Sequence, residues 1–317
     1  MAQTISLRDF EIRIFRAHNL TDRAVRLFRG NVMRLLVAID SSPNGDVVIN
    51  QVAGSRWPAG TSVCVLNVID SRAVSSDFVD VVAFAEGQRE ASLGMVKAAA
   101  HRLSSAGLDA RGEIIDGYAR TSIIEVAKQW PADFIIIGAQ GHQSIVSFLL
   151  GSVAANVLRN APCSVEIVRP STMSHHMRIL VATDGSDSSL AAVRSIATRP
   201  WAEGCEFKVI SVADRVFPEI AWFFNQEAMG KIEERMTDEA REAVSAAVEI
   251  LSSAGLAVTG SVMAGDPKSK IIDEARQWSA DLIVVGSHGR RGFDRAIQGS
   301  VSEAVAMHAP CSVEVIR

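Results

Sequence analysis

The sequence predicts an α/β protein made of two tandem, doubly wound domains, each on a mostly parallel five-stranded sheet. Three observations predict it. Short apolar runs alternate with helix-patterned segments four times and close on a fifth run, the pattern of a parallel sheet covered by helices. The whole pattern occurs twice: "IIEVAKQWPADFIIIGAQG" (123–141) returns as "IIDEARQWSADLIVVGSHG" (271–289), and "APCSVEIVR" from Ala161 returns as "APCSVEVIR" from Ala309. A length of 317 residues with 48% hydrophobic content suits two domains of ordinary size, each with a real core.

In the first unit, strands are expected near 35–39, 63–69, 111–115, 133–137 and 164–168. Its long second helix uses Phe84, Leu93, Val96 and Leu103 as the apolar stripe. In the second unit, 179–183 is short and apolar, hence a buried strand. "GSDSSLAAVRSIA" follows with helix-start residues and then alanines. "CEFKVISVA" is the next strand. A long helix then carries Met229, Ile232, Met236, Ala240, Val244, Val248 and Leu251 at three- and four-residue steps, a packing stripe rather than a cofactor site. "LAVTGSVMAG" is the third strand, and 267–278 a short helix capped by Asp266. "ADLIVVG" is a near-continuous buried strand, 300–307 a helix, and "CSVEVI" the last strand.

The markers "MRLLVAID" from Met33 and "MRILVATD" from Met177 are four positions closer than the later markers, so a small insertion lies between them. The expected organisation is an N-terminal extension at 1–32, a first domain at 33–169, a linker at 170–176 and a second domain at 177–317. The extension, with Arg13, Arg16, Arg23, Arg26 and Arg29, reads as a solvated or partly helical arm.

Lys plus Arg number 32 against 36 Asp plus Glu, a formal charge of -4, so the chain lacks the basic footprint of a nucleic-acid binder. No run approaches the length of a membrane span, and the first residues hold no apolar core followed by a small-residue cleavage site. Cys64, Cys163, Cys205 and Cys311 are far apart and form no Cys-x-x-Cys pair, which points to free thiols and a cytoplasmic protein. Seven scattered histidines, with no His-Glu-x-x-His, give metal catalysis little support.

The segment "GSHGRRGFDRAIQGS" (286–300) reads Gly-x-x-Gly, nine residues, Gly-Ser, directly behind an apolar strand. Ligands on doubly wound sheets gather at such carboxyl ends. Gly286 closes the strand, and Gly289 lets the backbone turn or approach something closely. Gly299 and Ser300 open a helix whose first-turn amides and dipole favour an anion. Ser300 adds a hydroxyl, and Arg290 and Arg291 add loop charge. The first unit repeats the pattern with Gly138, Gly141, Gly151 and Ser152. It is neither a Walker motif nor the dinucleotide fingerprint. Turns and helix caps without a ligand account for one such motif equally well, and duplication copies turns along with sites. Asp184 and Asp40 end the first strand of each unit, where a carboxylate can bind ribose hydroxyls or base nitrogens or else cap the next turn. Gly265-Asp266-Pro267 sits at another carboxyl end.

With these residues the chain resembles the universal stress protein family, as a tandem of two UspA-like domains. The glycine elements at 138–152 and 286–300, the opening "VATDGS" and the closing "APCSV" carry the resemblance. It implies a Rossmann-like fold of the adenine nucleotide alpha hydrolase kind and, through likeness to the ATP-binding branch, ATP as ligand. It places Asp184 and Asp40 against the nucleoside and the backbone at Val212 and Val68 against adenine. Gly286, Gly289, Gly299 and Ser300 then cradle phosphate, as do Gly138, Gly141, Gly151 and Ser152 in the first unit. Magnesium or manganese accompanies the phosphates. The second unit keeps Asp184-Gly185-Ser186 and Gly265-Asp266-Pro267, whereas the first has Asp40-Ser41-Ser42, Gly117-Tyr118-Ala119 and no loop arginine, so the second is the expected site. His142 reads as a polar loop residue.

The function implied is stress adaptation through ATP binding. Hydrolysis needs a positioned water and stabilisation of the moving phosphoryl group, and no residue is an obvious base for that water. No catalytic residue is named, and slow ATPase activity is the upper limit. The alternative is a regulatory or structural stress protein without nucleotide, acting on a protein partner. As in family dimers, the closing strands of the two units are expected to meet, giving an intrachain pseudo-dimer with further homodimerisation open to it.

Overall fold

The structure, a computed structural model, describes residues 33–70, 81–141, 150–170, 176–214, 226–289 and 299–317, without the side chains of 81–84 and 226. The arginines of the extension, Arg290, Arg291, His142, the Phe84 side chain and most of the expected linker lie outside the described residues.

The apolar runs become strands and the periodic stretches become helices, in the expected order. The first half gives β1 (Arg34–Ala38), α1 (Pro43–Gly54), β2 (Ser62–Ile69), α2 (Val81–Ser105), β3 (Asp109–Asp116), α3 (Ala119–Gln129), β4 (Phe134–Gly138), α4 (Ser152–Asn160) and β5 (Ser164–Val168). The second gives β6 (Arg178–Ala182), α5 (Asp187–Thr198), β7 (Glu206–Ala213), α6 (Gln226–Ser253), β8 (Val258–Ala264), α7 (Pro267–Gln277), β9 (Leu282–Gly286), α8 (Ser300–His308) and β10 (Ser312–Ile316). All pairing within each half is parallel.

The strands form one ten-stranded sheet in the order β3-β2-β1-β4-β5-β10-β9-β6-β7-β8. Burial follows that order. β4 and β9, well inside it, are apolar on both faces, while β3 and β8 at the two edges are mostly exposed or half-buried, as their polar sequences require. Alternate residues of each strand feed two cores, one per face of the sheet. Leu36, Ile135, Ile283 and Val305 meet in one; Leu35, Ile136, Val181 and Leu251 meet in the other. Of the expected helix stripes, Val96, Leu103, Ala240, Val244 and Leu251 are buried, while Leu93, Met229, Ile232, Met236 and Val248 are half-buried. Each fully buried aliphatic side chain contributes about 1.5–3 kcal/mol.

The closing strands meet as expected. β5 and β10 pair antiparallel, with Val313 opposite Ile167, Glu314 opposite Glu166 and Val315 opposite Val165. Arginines at the strand ends reach across reciprocally. The Arg169 amide donates to Ser312 Oγ (3.1 Å) and its guanidinium to the Cys311 carbonyl (3.2 Å) and to Ala306 O near the end of α8. The Arg317 amide donates to Ser164 Oγ (3.2 Å) and its guanidinium to Leu158 O in α4 (2.6 Å). Each guanidinium thus meets the carbonyl-rich end of the other unit's helix, where a cation is favoured. Cys163 and Cys311 are interior thiols of this joint, and burial pushes Cys311 up to about 12. Among the described residues, no helix is long and apolar enough to cross a membrane.

Candidate functional site

In the second unit, β6 and β9 are neighbours, so the sheet order brings their carboxyl ends together although about a hundred residues separate them. Asp184 follows β6 and is half-buried; its Oδ1 accepts from the Ser186 amide (3.0 Å). Gly185, at φ +75°, makes the turn a side chain would strain. Ser186 caps α5, its Oγ accepting from the Ser189 amide (3.3 Å).

The second segment is 286–289, the Gly-x-x-Gly element. Its His288 amide donates to Ser188 Oγ (3.1 Å), and its Ser287 amide donates to the Ile316 carbonyl (2.8 Å). The Ser287 carbonyl accepts from the Gly299 amide (2.8 Å) and from Ser302 Oγ (3.2 Å), tying the start of α8 to the loop. The His288 ring meets Ser287 Oγ through Nδ1 (2.9 Å), and its Nε2 is buried without a hydrogen-bond partner among the described residues.

The three glycines act differently. None of them has a left-handed backbone, so conformational freedom is not their purpose. A Cβ on Gly286 would lie 2.7 Å from the Ser188 carbonyl carbon and 2.7 Å from the Ser189 nitrogen, so this glycine lets α5 pack on β9. A Cβ on Gly289 would lie 2.9 Å from Asp184 Oδ2: the strand-end carboxylate rests against the loop backbone. A Cβ on Gly299 would lie 3.0 Å from the Ser287 carbonyl oxygen. Gly299 is the N-cap of α8 and Ser300 its first residue, exposed, beside first-turn amides that have no helical acceptor. An acceptor carboxylate, an exposed hydroxyl and a helix N-terminus can together serve a polyhydroxylated anion.

Val212 is the next-to-last residue of β7, paired with Met263 of β8 and half-buried. Asp266 does cap α7, accepting from the Ser269 amide (3.0 Å) and hydroxyl (2.7 Å), and those bonds hold its carboxyl below the usual range. Among the described residues, no group of three or more His, Cys, Asp or Glu side chains is placed to hold a metal ion.

The first unit repeats the frame. Asp40 Oδ1 accepts from the Ser42 amide (3.1 Å) and hydroxyl, and a Cβ on Gly141 would lie 2.6 Å from Asp40 Oδ2. The Gly151 amide donates to the Ala139 carbonyl (2.7 Å), and Ser152 opens α4, exposed. Asn44 Nδ2 holds the Gln140 carbonyl (2.9 Å). Gly138 has looser surroundings, 3.4 Å to Asn44 Cβ. Val68 pairs with Ile115 as Val212 pairs with Met263. The difference lies in the hydroxyls. Thr183, Ser189, Ser287 and Ser302 of the second unit stand where the first has Ile39, Gly45, Ala139 and Ala154. Ser42 is spent on Asp40 and makes no side-chain cap. Sequence reading missed this hydroxyl cluster. Superposing the two repeats position by position, rather than matching only their glycines, would have shown it.

The sequence profile of the Universal stress protein family matches residues 31–169 and again 175–317. A universal stress protein of Methanocaldococcus jannaschii is 30% identical over 145 residues, covering 45% of this chain and 82% of its own. One from Mycolicibacterium smegmatis is 26% identical over 304 residues, covering 89% of this chain and 96% of its own. The crystal structure of a universal stress protein from Archaeoglobus fulgidus shares the fold with a TM-score of 0.61 at 23% identity, over 90% of this chain and 96% of that one. With both repeats matched, the chain belongs to the universal stress protein family and carries two of its α/β, Rossmann-type domains in tandem.

Proposed function

We propose that this protein binds ATP in its second unit and serves stress adaptation by binding rather than turnover. The carrying observation is the close approach of the Asp184 carboxylate to the Gly289 backbone, in a loop whose Ser287 carbonyl accepts from the Gly299 amide at the start of α8. In this reading Asp184 accepts from the ribose, the backbone near Val212 lies by the base, and Gly289, Gly299 and Ser300 line the phosphates. Gly286 supports the site by seating α5. Magnesium or manganese would be held mainly by the phosphates, with at most one or two carboxylates. The sequence contains no histidine placed with an acidic partner to activate Ser300, so the hydroxyl binds and does not attack.

The first unit is proposed as the weaker site, because both the amide and the hydroxyl of Ser42 already occupy Asp40 Oδ1. The domain boundaries at 33–169 and 177–317 and the cytoplasmic location belong to the same reading. The test is mass analysis of gently purified protein, followed by calorimetry with ATP. Co-purified intact ATP or ADP, and one dominant binding event weakened about tenfold to a hundredfold by Ser300→Ala, are the expected results. No binding would favour the alternative, a stress protein acting through protein contacts.

A further inference from the structure

On one face of the joint between β5 and β10, two buried acids meet one base. Glu166 and Glu314 face each other in the register, each only 2% exposed. Opposed residues in such a ladder have Cβ atoms about 4.5–5.5 Å apart. The groups facing the pair come from each element packed on that side. Arg199, just past α5, binds Glu314 with both terminal nitrogens (2.8 and 2.6 Å). From α1, Gln51 Nε2 reaches Glu166 Oε1 at 3.5 Å. From β4, Phe134 offers an aromatic face, with the Arg199 guanidinium 5.7 Å from its ring centre. The Arg169 guanidinium goes to α8 on the opposite face. The position matching Arg199 in the first unit is Ser55, whose hydroxyl bonds the Gln51 carbonyl, so the first unit supplies no second guanidinium there.

Two buried carboxylates therefore share one guanidinium, and Glu314 holds its two terminal nitrogens. Burial first, and the Glu314 charge second, push Glu166 up to about 8.

We propose that Glu166 holds a proton at neutral pH and that the union of the two units is proton-linked, so that losing this proton puts an unpaired negative charge between β5 and β10 and loosens the ladder. The sign follows from linkage. Glu166 has a higher pKa folded than unfolded, where a glutamate titrates near about 4.3. The stability it lends is complete below the unfolded value. It is lost as pH rises toward about 8 and does not fall further above that.

Thermal unfolding of the full chain and of Glu166→Gln, from about pH 5 to about pH 8.5, tests this. Wild-type Tm is expected to fall by roughly 5 °C more than that of Glu166→Gln, whose neutral amide cannot ionise. All other ionisable groups are common to both proteins, so the difference reports the Glu166–Glu314 pair and its guanidinium. Parallel curves overturn the proposal. Should Glu166→Gln fail to fold, infrared spectra of the wild-type chain decide. A protonated-carboxyl carbonyl band that persists at neutral pH and disappears around pH 8 supports the proposal, and absence of the band at neutral pH overturns it.

Discussion

Replacing Gly286 with alanine is expected to destabilise the fold, whereas the same change at Gly289 is expected to leave the fold intact and disturb the site. At Gly286 the new Cβ meets Ser188 Oγ at 2.6 Å and two backbone atoms, the Ser188 carbonyl carbon and the Ser189 nitrogen, at 2.7 Å. Backbone cannot swing aside, so α5 must move off β9 by several tenths of an ångström. That movement strains the 3.1 Å bond from the His288 amide to Ser188 Oγ. Overpacking of this kind costs about 1–3 kcal/mol. Loss of glycine freedom in the unfolded chain returns about 0.4–1 kcal/mol. The net loss is about 1–2 kcal/mol, a fall of roughly 2–8 °C in Tm. At Gly289 the nearest atom is Asp184 Oδ2 at 2.9 Å, the end of a side chain that can rotate away. Stability should stay within about 0.5 kcal/mol, while the displaced carboxylate weakens ATP binding. Urea unfolding and ATP calorimetry on both variants separate the two effects. Equal destabilisation by the two alanines, or a neutral Gly286→Ala, would refute the distinction between backbone and side-chain clashes.

Arg199→Met should remove about 3–5 kcal/mol of stability at neutral pH, because Glu314 loses its buried partner; urea unfolding measures it, and a loss below about 1 kcal/mol would contradict the pairing. Ser300→Ala should weaken ATP binding about tenfold to a hundredfold by calorimetry, the equivalent of a charge-assisted hydrogen bond. Ser152→Ala should leave that binding unchanged. Asp266→Ala should cost about 0.5–2 kcal/mol as a lost helix cap. The Asp266 carboxyl titrates lower folded than unfolded, so its contribution is present above the unfolded value of about 3.9 and fades as pH falls through the lower folded one. Urea unfolding of both proteins at neutral and strongly acid pH should show the difference shrinking in acid.

Strands such as β4 and β9 were legible in the sequence because burial on both faces leaves an unbroken apolar run. The meeting of β5 with β10 was legible through their family resemblance, since two near-identical closing strands invited pairing. What the glycines do was less legible. Gly286 was expected to line a ligand loop, yet its nearest neighbours are Ser188 and Ser189, almost a hundred positions away. Local sequence records how a residue suits its own strand or helix. It does not record which distant backbone lies above it, because sheet order decides that. The buried Glu166–Glu314 pair was hidden for the same reason: each reads as an ordinary polar position in "CSVEIV" or "CSVEVI" until the register sets them face to face.

The antiparallel pairing of β5 with β10 has a consequence for anything that reads this molecule from outside. Parallel strands within each half and one reversal between halves send the two Gly-x-x-Gly loops to opposite rims of the sheet. A five-residue strand spans roughly 17 Å, so no small ligand bridges them. Yet a backbone bond ties each loop to the joint, the Ala139 amide to Val168 O and the Ser287 amide to Ile316 O, both 2.8 Å. A short mechanical route from one rim to the other runs along β5 and β10 themselves. A partner that senses both rims must therefore embrace the protein end to end, like callipers closed on a bar.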